Sequence, residues 1–244
     1  MKRLLFPIFA LHLLLWSGCI IIDDDESPFG NCLDGRGSII TTVYELSPYD
    51  EIELLGDVDV IISQGPAPSA ELHTYENLAD EVGLNINGGK LSIETRKCIN
   101  AQDRPQLFLA NPAFNKISNS SAADISSDTP LEAGAFTAGN FGSGNIALNL
   151  LANEAELLIT GSGDFLLNGQ ADKLKLSVTG SGDFLGFGFE TQQADILLTG
   201  SGDAEVQVHN LLEATITGSG SVFYKGHPML NTTITGSGRA VDSN

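Results

Sequence analysis

One phrase recurs through the C-terminal half of the chain and leaves few architectures open to it. Ile159-Thr160-Gly161-Ser162-Gly163-Asp164 returns as Val178-Thr179-Gly180-Ser181-Gly182-Asp183 and Leu198-Thr199-Gly200-Ser201-Gly202-Asp203. It then drifts to Ile216-Thr217-Gly218-Ser219-Gly220-Ser221 and Ile234-Thr235-Gly236-Ser237-Gly238-Arg239, with a weaker early copy at Phe141-Gly142-Ser143-Gly144-Asn145. From first glycine to first glycine (142, 161, 180, 200, 218, 236) the steps are 19, 19, 20, 18 and 18 residues. Self-similarity at a fixed period near 20 marks a solenoid, in which each repeat buries its apolar face only against its neighbours.

Within each period the side chains alternate. Ala155/Leu157/Ile159, Leu174/Leu176/Val178, Ala194/Ile196/Leu198 and Leu212/Ala214/Ile216 are apolar, while Glu156, Lys175, Asp195 and Glu213 lie between them. This two-residue period belongs to a strand with one buried face. A second short strand is expected after each corner, as at Phe165/Leu167 and Ala204/Val206/Val208. With no helical stretch between corners, the fold class is all-β, a parallel β-helix with coils of 18–20 residues. A corner that repeats at one place in every coil is expected to need φ > 0, which glycine adopts cheaply, and its missing Cβ lets corners stack closely.

Lys2 and Arg3 precede an apolar run from Leu4 to Trp16, followed by Ser17-Gly18-Cys19. The run is too short for a membrane span and reads as a secretory signal peptide over residues 1–18. Ser-Gly-Cys resembles a bacterial lipobox, with Trp16 standing where Leu is usual, and implies lipid attachment at Cys19. By resemblance to known lipoproteins, Ile20 in place of an Asp after that Cys favours the outer membrane. Residues 19–35 then form an acidic tether, with Asp23-Asp24-Asp25-Glu26 either a surface-export signal or a solvated spacer. Cys32 and Cys98 remain as an even pair in an oxidising compartment, where a disulfide is expected.

The chain carries 12 Lys+Arg against 31 Asp+Glu, a formal charge of −19. It offers no basic stripe for phosphates, which argues against nucleic acid, and no cationic face for anionic lipid. The membrane is therefore a partner only through the anchor. The remaining residues, 36–244, form one solenoid domain: a less regular portion, 36–115, and regular coils from 116. In the first portion, Ser38–Tyr44, Asp50–Ile62 (two strands meeting at Gly56-Asp57), Ala70–Tyr75 and Gln106–Ala110 read as strands. Leu84–Glu94 reads as a hairpin around Gly88-Gly89, and Glu76–Val82 as one helical turn.

The opening Pro48-Tyr49-Asp50-Glu51-Ile52-Glu53-Leu54-Leu55-Gly56-Asp57-Val58-Asp59-Val60-Ile61-Ile62-Ser63-Gln64-Gly65, the Gly88-Gly89-Lys90-Leu91 hairpin and the Thr-Gly-Ser-Gly-Asp coils together resemble the bacterial exported family called "putative auto-transporter adhesin, head GIN domain". The resemblance spans roughly residues 36–244. It implies a right-handed single-stranded β-helix, a lipoprotein or secreted address and an adhesive role, with no catalytic residues to carry over.

Asp164, Asp183 and Asp203 should stack in one column, with Asn145 before and Ser221 and Arg239 after. Carboxylates one strand spacing apart repel unless hydrogen bonds or a cation intervene. Either each caps N–H groups of its own corner, or the column holds Ca²⁺; the exchange of Asp with Asn and Ser favours capping. His209 and His227, 18 residues apart, fall near coil corners. Phe187 and Phe189 share the phase opposite to Phe184, so they face out unless a bulge reburies them. No cofactor is expected. A non-catalytic envelope adhesin or scaffold with a glycan or protein ligand is the preferred reading. A polysaccharide-active β-helix enzyme is the alternative, for which no cluster of carboxylates with a base stands out. Side-by-side oligomers through the Thr160, Thr179, Thr199, Thr217 and Thr235 column are a third option.

Overall fold

The computed structural model describes residues 32–244. The signal peptide 1–18, Cys19 and most of the tether lie outside the described residues. The strands are β1 (Ile39–Glu45), β2 (Glu51–Leu54), β3 (Asp59–Gln64), β4 (Ser69–Tyr75), β5 (Val82–Asn87), β6 (Lys90–Thr95), β7 (Gln106–Asn111), β8 (Lys116–Asn119) and β9 (Ile125–Ser127). They continue as β10 (Leu131–Asn140), β11 (Ile146–Ile159), β12 (Phe165–Val178), β13 (Phe184–Leu198), β14 (Ala204–Ile216), β15 (Val222–Lys225), β16 (Met229–Ile234) and β17 (Ala240–Asp242). They build a parallel β-solenoid of about seven turns. Every strand and the whole apolar core lie in the unit Cys32–Asn244.

The expected pairs of short strands fuse in the regular coils. From β11 to β14 each coil is one strand of 13–15 residues that bends once, where the register steps over Asn153, Asp172 and Gln192. Identical positions stack: Phe165 pairs with Ile146 on one side and Phe184 on the other, and Val178 sits between Ile159 and Leu198. All six are essentially inaccessible. Each such side chain contributes about 1.5–3 kcal/mol by leaving water, and the contribution repeats with the coil.

The expectation that the repeat glycines need φ > 0 is corrected. The glycines with positive φ are Gly37, Gly88, Gly89, Gly169 and Gly226, none of them in a Gly-Ser-Gly corner. The corner glycines are required instead by stacking. A Cβ on Gly161 would lie 1.9 Å from the carbonyl oxygen of Gly142, and one on Gly180 2.1 Å from that of Gly161. The same clash recurs at Gly200, Gly218 and Gly236, and along the second column at Gly163, Gly182, Gly202, Gly220 and Gly238. Gly142 and Gly144 meet Ser121 and Ala123 in the degenerate corner below. In the first column the carbonyl concerned accepts the next coil's N–H, as Ser181 N–H donates to Gly161 O at 3.1 Å. No side chain fits between two corners so bonded.

Where the phrase is degenerate, a buried asparagine holds the corner. Asn119 and Asn140 occupy the column that continues as Ile159 and Val178. Asn119 Nδ2 donates to Ala123 O (2.9 Å) and its Oδ1 accepts from Ser121 N–H (3.0 Å); Asn140 Nδ2 donates to Gly144 O (2.9 Å). Buried amides are tolerated because they satisfy corner backbone groups.

The N-terminal portion is part of the same solenoid, with its coils out of chain order. β2 pairs in parallel with both β6 and β8, and β3 with both β7 and β9. The coil 51–64 is therefore sandwiched between coils that follow it in sequence. Antiparallel β1, β4 and β5 finish this end, together with a 3₁₀ segment, Glu76–Glu81, whose Leu78 is buried. Gly88 and Gly89 (φ 60° and 83°) make the expected tight turn between β5 and β6. Cys32 and Cys98 form the disulfide, beside a bridge between Leu33 and Ile99.

Candidate binding face

The Asp column is a continuous hydrogen-bonded ladder. Asp164 Oδ1 accepts the N–H of Asp183 (2.9 Å), Asp183 Oδ1 that of Asp203 (2.7 Å), and Asp203 Oδ1 that of Ser221 (2.6 Å). It extends backwards through Asn145 Oδ1 to Asp164 N–H (2.9 Å), Asp124 Oδ1 to Asn145 N–H (2.7 Å) and Asp59 Oδ1 to Asp124 N–H (3.1 Å). Capping is thus between coils, not within one corner as expected: each side chain reaches the next coil's backbone. Adjacent strands lie about 4.8 Å apart, within reach of so short a side chain. Asn serves as well as Asp because only an acceptor is needed. Among the described residues no group of three or more His, Cys, Asp or Glu side chains is arranged to hold a metal ion.

Beside the ladder runs a column of outward side chains, set by the alternation along each strand. In pairing order it reads Val43, Glu71, Phe108, Ile61, Ser126, Ala147, Leu166, Leu185, Glu205, Phe223 and Val241. It is mostly apolar although every member points to solvent; Val43 is 69% and Leu166 43% exposed. Ile61, Ala147, Leu166 and Leu185 floor a groove of about 460 Å³ whose wall is Asp59, Asp124, Asn145 and Asp164. An apolar strip edged by acceptors suits a ligand with a hydrocarbon face and hydroxyl rims. Sequence reasoning missed this column, because its first members, Val43, Glu71, Phe108 and Ile61, come from strands whose order in space is not their order in the chain. The alternation within each strand was visible; the pairing was not.

The other sheet face is charged, and its lysines are paired with carboxylates. Lys175 Nζ lies 2.6 Å from Glu156, Lys173 3.1 Å from Glu154 and Lys116 3.3 Å from Glu51. Each is an exposed pair worth about 0–1 kcal/mol. Lys90 Nζ donates to Glu53 Oε2 at 2.6 Å, and this bond, with help from Ser92, holds the Glu53 carboxyl below its ordinary range. Burial pushes the Tyr49 phenol up.

The remaining expected sites separate. The Thr160, Thr179, Thr199, Thr217 and Thr235 column sits at the corners, outside the strands, so it forms a ridge and not the flat sheet expected for side-by-side assembly. His209 Nε2 lies 3.3 Å from Glu190 in the preceding coil. The bulge at Phe187–Phe189 exists: β13 slips against β12 between Leu166 and Asn168, and against β14 after Gly186. It reburies Phe189 (1% exposed), while Phe187 stays half-buried under Lys225, whose Nζ is 4.2 Å from the ring centroid. This extra residue accounts for the single 20-residue step.

The family profile described as "Putative auto-transporter adhesin, head GIN domain" matches residues 48–228. A crystal structure from Bacteroides fragilis, described as "a putative adhesin", superposes with a TM-score of 0.80 at 18% identity, covering 85% of this chain and 98% of its own. A Parabacteroides distasonis structure described as "Putative lipid binding protein" gives 0.70 at 24% identity, covering 87% and 100%. A Parabacteroides merdae "putative adhesin" gives 0.63 at 22%, covering 87% and 100%. At such identities these likenesses show the fold alone. No curated protein matches the chain.

Proposed function

Because the chain belongs to the family described as "Putative auto-transporter adhesin, head GIN domain", we propose that it is a non-catalytic adhesin of the cell envelope. It holds a neutral linear glycan along the groove between the Asp ladder and the apolar column. The observation that carries this reading is the partly exposed strip Ile61, Ala147, Leu166 and Leu185 beside ladder oxygens. Sugar rings stack their C–H faces on apolar surface, and hydroxyls donate to carboxylates. An anionic polymer is disfavoured by the −19 charge. Cys19 is the lipid attachment site in this reading. It places the domain on the outer membrane behind the tether, after removal of residues 1–18.

The test is binding of the Cys32–Asn244 fragment to a glycan array, with neutral lipid vesicles alongside and Leu166→Glu/Leu185→Glu as the groove variant. Saturable binding to one neutral glycan class, lost in the variant without loss of melting temperature, supports the proposal. Binding to vesicles alone would overturn the glycan assignment. Shortened glycan products by mass spectrometry would overturn the non-catalytic one.

A further inference from the structure

The acceptor row along the groove is broken at one coil. Asp59, Asp124 and Asp164 each commit Oδ1 to the next coil's N–H and keep a second carboxylate oxygen, which can only accept. Asn145 commits its Oδ1 in the same way, to Asp164 N–H at 2.9 Å. That bond fixes which way round the amide sits, so the atom left over is Nδ2, which can only donate. Asn145 is exposed and lines the groove between Asp124 and Asp164. The wall therefore offers acceptor, donor and acceptor on three successive coils.

The floor changes at the same place. Ile61, Ser126, Ala147 and Leu166 are register partners on successive coils, and all four line the groove. The two middle members are the small ones. Ile61 and Leu166 thus stand at the ends of a recess three strand spacings long, roughly 14 Å. Ala147 lies two residues from Asn145 on the same coil, and Ser126 two from Asp124. A recess floored by a methyl group opens directly beside the donor in the wall.

We propose that this recess is a subsite for an acetamido group, so that the glycan held in the groove contains an N-acetylated amino sugar. The inference rests on the glycan reading above and names the substituent recognised. The acetamido carbonyl accepts from Asn145 Nδ2, and its N–H donates to the free oxygen of a flanking carboxylate, Asp124 or Asp164. Its methyl settles on Ala147, between the Ile61 and Leu166 side chains, on which the ring faces of neighbouring sugars stack. A hydroxyl in the same place takes a hydrogen bond but leaves the recess unfilled, without the dispersion contacts of a methyl group. A peptide also offers secondary amides, but they lie within its backbone, with no terminal methyl for the recess and no ring faces for Ile61 and Leu166.

Isothermal titration calorimetry of the Cys32–Asn244 fragment with tetra-N-acetylchitotetraose and cellotetraose tests it, since the two sugars differ only in acetamido against hydroxyl. The expected result is tighter binding of the acetylated sugar by about tenfold or more. Asn145→Asp keeps the acceptor for Asp164 N–H and removes the donor; Ala147→Leu fills the recess. Each should bring the ratio of the two affinities towards one, with the melting temperature unchanged. Equal affinity of the wild type for both sugars would overturn the acetamido subsite and leave the groove reading standing. Failure of both sugars to bind would also overturn the subsite, and silence on the glycan array would take the groove reading with it. A preference that survives both variants would overturn the assignment to this recess. Should Asn145→Asp fail to fold, the outward-facing Ala147→Leu decides. Equal affinity for a neutral acetylated tetra-alanine peptide would overturn the choice of a sugar.

Discussion

Asp164 Oδ1 accepts the backbone N–H of Asp183, one coil further along the solenoid, at 2.9 Å. This one contact, repeated, turns a column of like charges into a chain of charge-assisted hydrogen bonds. Replacing Asp183 with Ala strands the Asp203 N–H, which now has its partner at 2.7 Å. The expected loss is about 1–2 kcal/mol. Asp183→Asn should lose less than half of that, as Asn145 already serves Asp164 in the same way. Urea denaturation of the two variants checks the order. Millimolar calcium should leave the wild-type melting temperature unchanged; a rise would assign the ladder to metal.

Glycine at the corners is a packing requirement, and it separates sharply from glycine elsewhere. Gly180→Ala drives a methyl group to 2.1 Å from Gly161 O, whereas a Cβ on Gly134 meets nothing within 4 Å. Since corner backbone is tied on both sides, the first should cost about 2–4 kcal/mol. The second should stay within about 0.5 kcal/mol of wild type. Thermal melts of the pair measure the difference; equal effects would mean that the corners can spread.

The Glu53–Lys90 pair gives a pH dependence with a definite sign. The Lys90 hydrogen bond lowers the Glu53 pKa from its ordinary 4.5 in the folded state. The unfolded chain therefore takes up the proton first, and the stabilisation present above 4.5 is lost as pH falls through the lowered value. Lys90 is shifted up by the same bond, so its share is present below 10.5 and is lost as pH rises through the raised value. In Glu53→Gln both limbs of the melting temperature–pH curve should be shallower. The difference should shrink at high salt, because both side chains are partly exposed.

Several features were legible in the residues because they are local. The alternation Leu174/Leu176/Val178 gave the strands, the Gly88-Gly89 pair gave the β5–β6 turn, and the fixed step of the Gly-Ser-Gly phrase gave the stacking. The bulge at Phe187–Phe189 was readable as an irregularity, but which ring it buries depends on the width of the neighbouring coils. The reason for the corner glycines was readable only in part. Backbone angles and backbone proximity both select glycine, and only the stacked fold distinguishes them.

The sequence by itself determined that this chain is a β-solenoid with coils of 18–20 residues, because a repeated pattern stacks on itself whatever surrounds it. Tertiary structure decided the order of the first coils, which places 51–64 between two later segments. It also decided how the apolar column continues from Ser126 through Ile61, Phe108, Glu71 and Val43. These depend on pairings between strands far apart in the chain. Such pairings are chosen by the register and burial of the whole core, which no single segment encodes.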